Sequence, residues 1–178
     1  MRIIGGKYRG RKIIPPSGFR ARPTTDFARE GLFNILNNRI DLESVTVLDL
    51  FGGTGSISCE FASRGACEVH LVEQNMKHIA GIKRIIKNTG LDNIRPIHID
   101  VKAYLRVCTV KYDIVFADPP YDLPWLKDIP DLVTNSGIIR KDGFFILEHP
   151  RSMRFSSHRL FFEHRKYGSV NFSFFRPL

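Results

Sequence analysis

Asp118-Pro119-Pro120-Tyr121 combines a carboxylate, two residues without a backbone N–H and a flat phenol. It follows the apolar run Tyr112–Ala117, which reads as a buried strand. Neither proline donates a backbone hydrogen bond. The Asp118 carboxylate and the Pro119 carbonyl can therefore both face a ligand as acceptors. A primary amine on an aromatic ring carries two N–H donors that such a pair satisfies, and Tyr121 offers a face for the ring to stack on. The pattern points to the exocyclic amine of a nucleobase. A rigid Pro-Pro turn capped by Asp118 is the plain structural alternative.

A second group reads as a cofactor site. Leu48-Asp49-Leu50-Phe51-Gly52-Gly53-Thr54-Gly55 is a strand running into a Gly-rich turn. Gly53 and Gly55 permit close backbone approach to a ligand and a sharp entry into a helix. Glu73 stands eighteen residues after Gly55 and ends a second apolar run, where a carboxylate can accept bonds from two ribose hydroxyls. Asp100 is expected to end a third strand, placed for the amino group of an adenine. These residues predict an adenosine-containing cofactor. No complete G-x-G-x-x-G is present, because position 58 is Ser, and there is no G-K-[ST]. An acid at Asp49 suits a cationic group better than a pyrophosphate. That favours S-adenosylmethionine, with its ammonium and sulfonium, over a nicotinamide dinucleotide. Turn stabilisation by Asp49 and a solvent-facing strand end at Glu73 are the structural alternatives.

The elements needed to position these groups are legible in outline. Thr24, Thr25 and Asp26 are N-cap types before a helical face of Phe27, Ala28, Leu32, Ile35 and Leu36, running to about Arg39. Strands are expected at 45–50, 69–72, 94–99, 112–117 and 143–148, and helices at 57–64 and 126–133, the latter broken by Pro130. Asn75 and Gly90 bracket another helix, carrying Met76, Ile79, Ala80 and Ile86. Pro96 places its strand at a sheet edge. The runs 160–165 and 169–175 form an antiparallel hairpin around Lys166-Tyr167-Gly168. The fold class is α/β: a doubly wound, mostly parallel seven-stranded sheet closing on that hairpin. Residues 2–14 read as a small basic hairpin or two short strands, and 15–23 as a Pro/Gly linker. The division is an N-terminal extension with linker, 1–23, and a main domain, 24–178.

Charge is partitioned along the chain. The net +9 divides as +7 over residues 1–22, −3 over 23–150 and +5 over 151–178. Tyr8, Phe19 and Tyr167 interleave with the basic ends, which suits a grip on nucleic-acid phosphates. Arg2, Lys7, Arg9, Arg11, Lys12, Arg20 and Arg22 are the candidate contacts. A 43% hydrophobic content supports a real core, and no apolar run approaches the ~20 residues of a membrane span. The N-terminal stretch is basic without the apolar segment of a secretory signal. Cys59, Cys67 and Cys108 are odd in number and form no C-x-x-C, which argues against a disulfide framework or a zinc site. A cytoplasmic monomer without a metal is expected. The six histidines show no ligand spacing; His149 lies near the expected pocket, and Trp125 is expected to pack under the helix that follows it.

The whole chain resembles the class I S-adenosylmethionine-dependent methyltransferases. More closely, it is similar to the RsmD-type enzymes, which methylate the N2 amine of a guanine in bacterial small-subunit ribosomal RNA. The opening RIIGGKYRGRK, the Arg22–Asp26 block, LDLFGGTG, Glu73, Asp100, Asp118–Tyr121 and the Tyr167-Gly168 hairpin carry the resemblance. It implies that Asp49, Gly53 and Gly55 form the cofactor loop, Glu73 the ribose ligand and Asp100 the adenine ligand. It implies that Asp118, Pro119, Pro120 and Tyr121 are the catalytic turn. It places Thr24 and Thr25 near the methionine end of the cofactor. Gly52, usually Ala in the family, and Thr54, commonly Ser, are departures, as is His149-Pro150 after Glu148.

The expected reaction is direct methyl transfer to a flipped-out base, with ribosomal RNA or a small-subunit assembly intermediate as partner. An N6-adenine DNA or RNA methyltransferase is the close rival, because the catalytic turn suits any exocyclic amine. A nicotinamide-dependent oxidoreductase and a non-catalytic RNA-binding module are more remote.

Overall fold

The computed structural model describes residues 1–15 and 24–177. Seven strands form one sheet: β1 Thr46–Leu50, β2 Glu68–Glu73, β3 Ile94–His98, β4 Tyr112–Ala117, β5 Ile139–His149, β6 Phe161–Tyr167 and β7 Val170–Phe175. Their order is β3-β2-β1-β4-β5-β7-β6, with β1 to β5 parallel and β7 antiparallel to both neighbours. The chain reverses direction across the sheet between β1 and β4, where doubly wound sheets open a crevice at the strand C-termini. Pro96 does lie in the edge strand β3.

Helices α1 Asp26–Asn37, α2 Ser56–Ser63 and α3 Met76–Thr89 share one core with the sheet face of Val47, Ile114, Phe116 and Ile146. Helices α4 Val101–Val107 and α5 Ile129–Asn135 pack on the opposite face with Leu48, Val115 and Leu147. The alternation of side chains along each strand feeds both cores. Among the described residues no helix is long and apolar enough to cross a membrane.

The caps explain several boundaries. Thr25 Oγ1 accepts from Ala28 N at 3.2 Å and Asn75 Oδ1 from Lys77 N at 2.9 Å, while Gly90 closes α3 in the left-handed conformation. The face of α1 that packs on the core is Ala28, Arg29, Leu32, Phe33 and Leu36. Phe27 therefore lies off the buried face, 66% exposed and edge-on to Tyr167, contrary to the sequence pattern. Met76 and Ala80 are likewise exposed on α3, and Ile79, Ile82 and Ile85 form its core face.

Three further differences have local causes. Helix α4 has no counterpart among the expected elements; its seven residues begin where the Asp100 carboxylate caps the Ala103 N–H at 3.0 Å. Pro130 opens α5 rather than breaking a helix, since a first-turn position needs no N–H donor. Strand β5 begins at Ile139, four residues early, and shifts register between the Tyr112 and Ile114 pairings. Gly143 sits in that shift, where a Cβ would come 2.7 Å from the Asp113 carbonyl oxygen.

The N-terminal hairpin is reduced to one antiparallel bridge, Arg2 with Lys12. Cross-strand bonds from Ile3 N to Arg11 O at 3.0 Å and from Gly10 N to Ile3 O at 2.8 Å extend it, and its tip bonds to α2. Ile4 N and Gly5 N donate to the Glu60 carboxylate at 2.6 and 3.3 Å, and Lys7 N to the Ser63 carbonyl at 2.7 Å. Glu60 is fully buried, with Arg29 at 3.6 Å and Arg64 at 3.4 Å as cationic partners.

Candidate active site

The turn after β1 is the tightest backbone in the cleft. Phe51 takes φ 62°, Gly53 φ 52° and Gly55 φ 75°, and Gly55 is the N-cap of α2. A left-handed phenylalanine is a strained residue, of the kind held in place at binding sites. Gly52 has a specific neighbour: a Cβ there would lie 2.3 Å from Leu71 Cδ2. Leu71 thus occupies the space that an alanine methyl at position 52 would need.

Carboxylates fasten this turn. Glu73, at the end of β2, accepts from Gly53 N at 2.9 Å and from Asn75 N at 2.7 Å, so one side chain holds both the Gly-rich turn and the start of α3. Asp49 accepts from Ser58 N at 3.2 Å and Ser58 Oγ at 2.6 Å, tying β1 to α2. The turn-stabilising role is therefore present for Asp49, although the residue also lines the cleft.

Across the cleft, β4 delivers Asp118 to Tyr121. Pro119 is buried, and Tyr121 is 46% exposed at the rim. Tyr121 OH donates to Glu148 Oε1 at 3.3 Å, and Thr24 Oγ1 donates to Glu148 Oε2 at 2.8 Å. The same Thr24 hydroxyl lies 3.5 Å from Asp118 Oδ2. Glu148 ends the apolar run of β5 and is 3% exposed.

The cleft has a volume of about 780 Å³, ample for a cofactor with part of a second ligand. Six carboxylates line it: Asp49, Glu73, Asp100, Asp118, Asp122 and Glu148; no Lys or Arg does so among the described residues. Burial pushes the Asp49 carboxyl up to about 7, with a smaller push from the Glu73 charge and relief from Ser58. Burial likewise raises Glu148 to about 7, opposed by its bonds from Thr24 and Tyr121. Asp118 is raised well above the carboxylate range by burial and then by the charges of Glu148 and Asp49. Such a site favours a cation and disfavours a pyrophosphate.

Of the residues singled out from sequence, Thr24, Thr25, Asp49, Gly53, Glu73, Asp100 and Asp118–Tyr121 all line this cleft. Gly55 lies behind it, at the α2 N-terminus. Asp100 stands two residues beyond β3, its carboxylate engaged in capping α4. Among the described residues, the basic candidates do not line the cleft. Arg2 pairs with Asp26 at 3.3 Å, and Arg11 donates to the Thr89 carbonyl and lies over the Tyr8 ring. Lys7, Arg9 and Lys12 are exposed; Arg20 and Arg22 lie outside the described residues.

Two residues carry more of the site than their sequence signals suggest. Glu148 becomes part of it because β5 pairs with β4, and its only sequence signal is an acid closing an apolar strand. Trp125 packs on the α4/α5 core as expected and also lines the cleft, with Phe51 at 5.9 Å and Lys102 Nζ 4.3 Å over its ring. His149 is buried against Ser173 Oγ at 2.8 Å and does not line the cleft.

A family model described as conserved hypothetical protein 95 matches residues 1–176. The chain belongs to this family, the RsmD-type rRNA methyltransferases. The ribosomal RNA small subunit methyltransferase D of Escherichia coli K12 is 33% identical over 151 residues, 83% of this chain and 74% of that protein. The protein of the same name from Buchnera aphidicola subsp. Acyrthosiphon pisum is 34% identical, over 84% of this chain and 78% of its own length. A solved hypothetical protein of Thermus thermophilus superimposes with a TM-score of 0.87 at 29% identity, over 99% of both chains. The RsmD-type family uses S-adenosylmethionine, and the acidic cleft fits that cationic donor.

Proposed function

We propose that this protein methylates the N2 amine of a guanine in bacterial small-subunit ribosomal RNA. The observation that carries the reading is the pairing of a cleft lined by six carboxylates with the acceptor turn Asp118–Tyr121 at its rim. S-adenosylmethionine, when bound, supplies an electrophilic methyl group. Glu73 would hold its ribose, Asp100 its adenine amine, and Asp49 with Thr24 and Thr25 its methionine end, on the Gly53 turn.

The target base leaves its stack to reach the cleft. Tyr121 stacks against it, and the Asp118 carboxylate and Pro119 carbonyl accept hydrogen bonds from its two amine N–H groups. These bonds draw the nitrogen lone pair out of ring conjugation and hold it toward the methyl. Pro120 keeps the turn rigid. Positioning at roughly 3–3.5 Å provides most of the acceleration. The nitrogen becomes acidic only as it is methylated, so no strong base is needed beforehand; Asp118 collects the proton released. Its raised affinity for protons suits that last step. Glu148 acts through Tyr121 and Thr24, fixing both sides of the turn.

Residues 1–23 form the extension that grips the RNA backbone, through exposed Lys7, Arg9 and Lys12 together with Arg20 and Arg22. Transfer of labelled methyl from S-adenosylmethionine to unmodified small ribosomal subunits or their RNA tests the reading, with duplex DNA as control. Label in the RNA is expected. Label only in DNA, or none, would overturn it.

A further inference from the structure

A second cavity lies on the other side of β5 from Glu148. Successive side chains of a strand point to opposite faces, so Glu148 enters the acidic cleft while His149 enters this one. Its volume is about 280 Å³. The floor is one face of the terminal sheet: β7 pairs Asn171 with His149 and Lys166, and Ser173 with His164. The turn after β5 supplies the wall, with Arg151 and Arg154.

The lining is the electrical opposite of the cleft. Arg151, Arg154 and Lys166 contribute three cations, and no Asp or Glu lines the cavity among the described residues. All three cationic residues are exposed, and none takes part in a salt bridge found among the described residues. Two imidazoles stand beside them, His149 and His164, with ring centroids 5.9 Å apart. Each is held by a polar neighbour on β7: His149 by Ser173 at 2.8 Å and His164 by Asn171 at 3.2 Å. Phe155 meets the His149 ring edge-on at 4.9 Å, and Phe161 adds a partly open aromatic wall. Clustered cations with fixed aromatic and imidazole rings are what single-stranded RNA binds: charge for the phosphate, flat rings for the nucleoside.

We infer that this cavity binds a phosphate of the RNA strand next to the target nucleotide, with its nucleoside against the accessible rings of His164 and Phe161, which the buried His149 and Phe155 support. The inference rests on the RNA reading above and deepens it. One step of β5 then sorts the bound groups by charge: the cationic methyl donor and the target base lie on the Glu148 side, and the neighbouring phosphate on the His149 side. The strand that delivers the target base to Asp118 is anchored immediately beyond the cleft wall.

The test compares the wild type with Arg151→Ala/Arg154→Ala and with Lys166→Ala, measuring binding of small-subunit ribosomal RNA as a function of salt. Each lost phosphate contact on a single strand lowers the slope of log affinity against log salt by about 0.7. The double variant is expected to bind RNA more weakly, with a slope shallower by about 0.7, and to keep its S-adenosylmethionine affinity and melting temperature. Arg151→Lys/Arg154→Lys should retain the wild-type slope, because lysine still contacts phosphate. Wild-type slopes and methylation in both alanine variants would overturn the cavity's role and leave the methyltransferase reading standing. Saturation by millimolar inorganic phosphate without competition against RNA would also overturn it, marking a free-anion site. Failure of the wild type to bind either ribosomal RNA or small ribosomal subunits would overturn both readings together.

Discussion

Thr24 Oγ1 lies 2.8 Å from Glu148 Oε2, joining the residue before the α1 cap to the end of β5. Both groups are buried, and the bond brings the Thr24 hydroxyl within 3.5 Å of Asp118. One hydroxyl thus separates two carboxylates that repel each other. Thr24→Val keeps the shape and removes the donor. Loss of a hydrogen bond to a buried charged group costs about 1–3 kcal/mol. Urea unfolding should show a loss of that size, and the titration of Glu148 should move further upward.

The raised carboxyls set a pH dependence of defined sign. Asp49 and Glu148 titrate near 7 in the folded protein and in the ordinary carboxylate range when unfolded. Between about pH 4 and 7 the folded state therefore binds more protons than the unfolded one. The contribution of these groups to stability falls as pH rises through that window and levels off above about 7. A cationic donor needs them ionised, so its binding releases protons and its affinity rises from about pH 6 to about pH 8. Calorimetry in two buffers of different ionisation enthalpy would show the release. Proton uptake, or affinity that falls over that range, would contradict it.

The parts of the site legible in sequence are those encoded within one strand and the turn after it. Asp118–Tyr121 after β4 and the Gly53 turn after β1 are contiguous, and their side-chain chemistry needs no partner to be read. Pro96 reveals its edge strand because a missing N–H has one consequence in a sheet. Glu148 is not legible as a site residue, since its role depends on β5 lying beside β4 and on Thr24 arriving from 124 residues away. Phe27 misleads because it is apolar at the margin of a face set by Ala28, Leu32, Phe33 and Leu36, and α4 is hidden by its shortness.

Gly52 offers a packing prediction. An alanine methyl at this position would meet Leu71 Cδ2 at 2.3 Å and Cγ at 2.4 Å. Leu71 is fully buried, so its side chain would have to shift within the core. Gly52→Ala should destabilise the protein by about 1–3 kcal/mol, as overpacking does, and weaken S-adenosylmethionine binding by displacing the turn. Adding Leu71→Val should recover most of both losses. Thermal melts and donor titrations of the two variants check this.

The guanine-N2 reading is tested most directly by identifying the product. Unmodified small ribosomal subunits would be incubated with the protein and S-adenosylmethionine, and the RNA digested to nucleosides for mass spectrometry. The wild type is expected to yield N2-methylguanosine at a single position, and Asp118→Ala to yield almost none while still binding S-adenosylmethionine. N6-methyladenosine as the product, or undiminished methylation by Asp118→Ala, would contradict it.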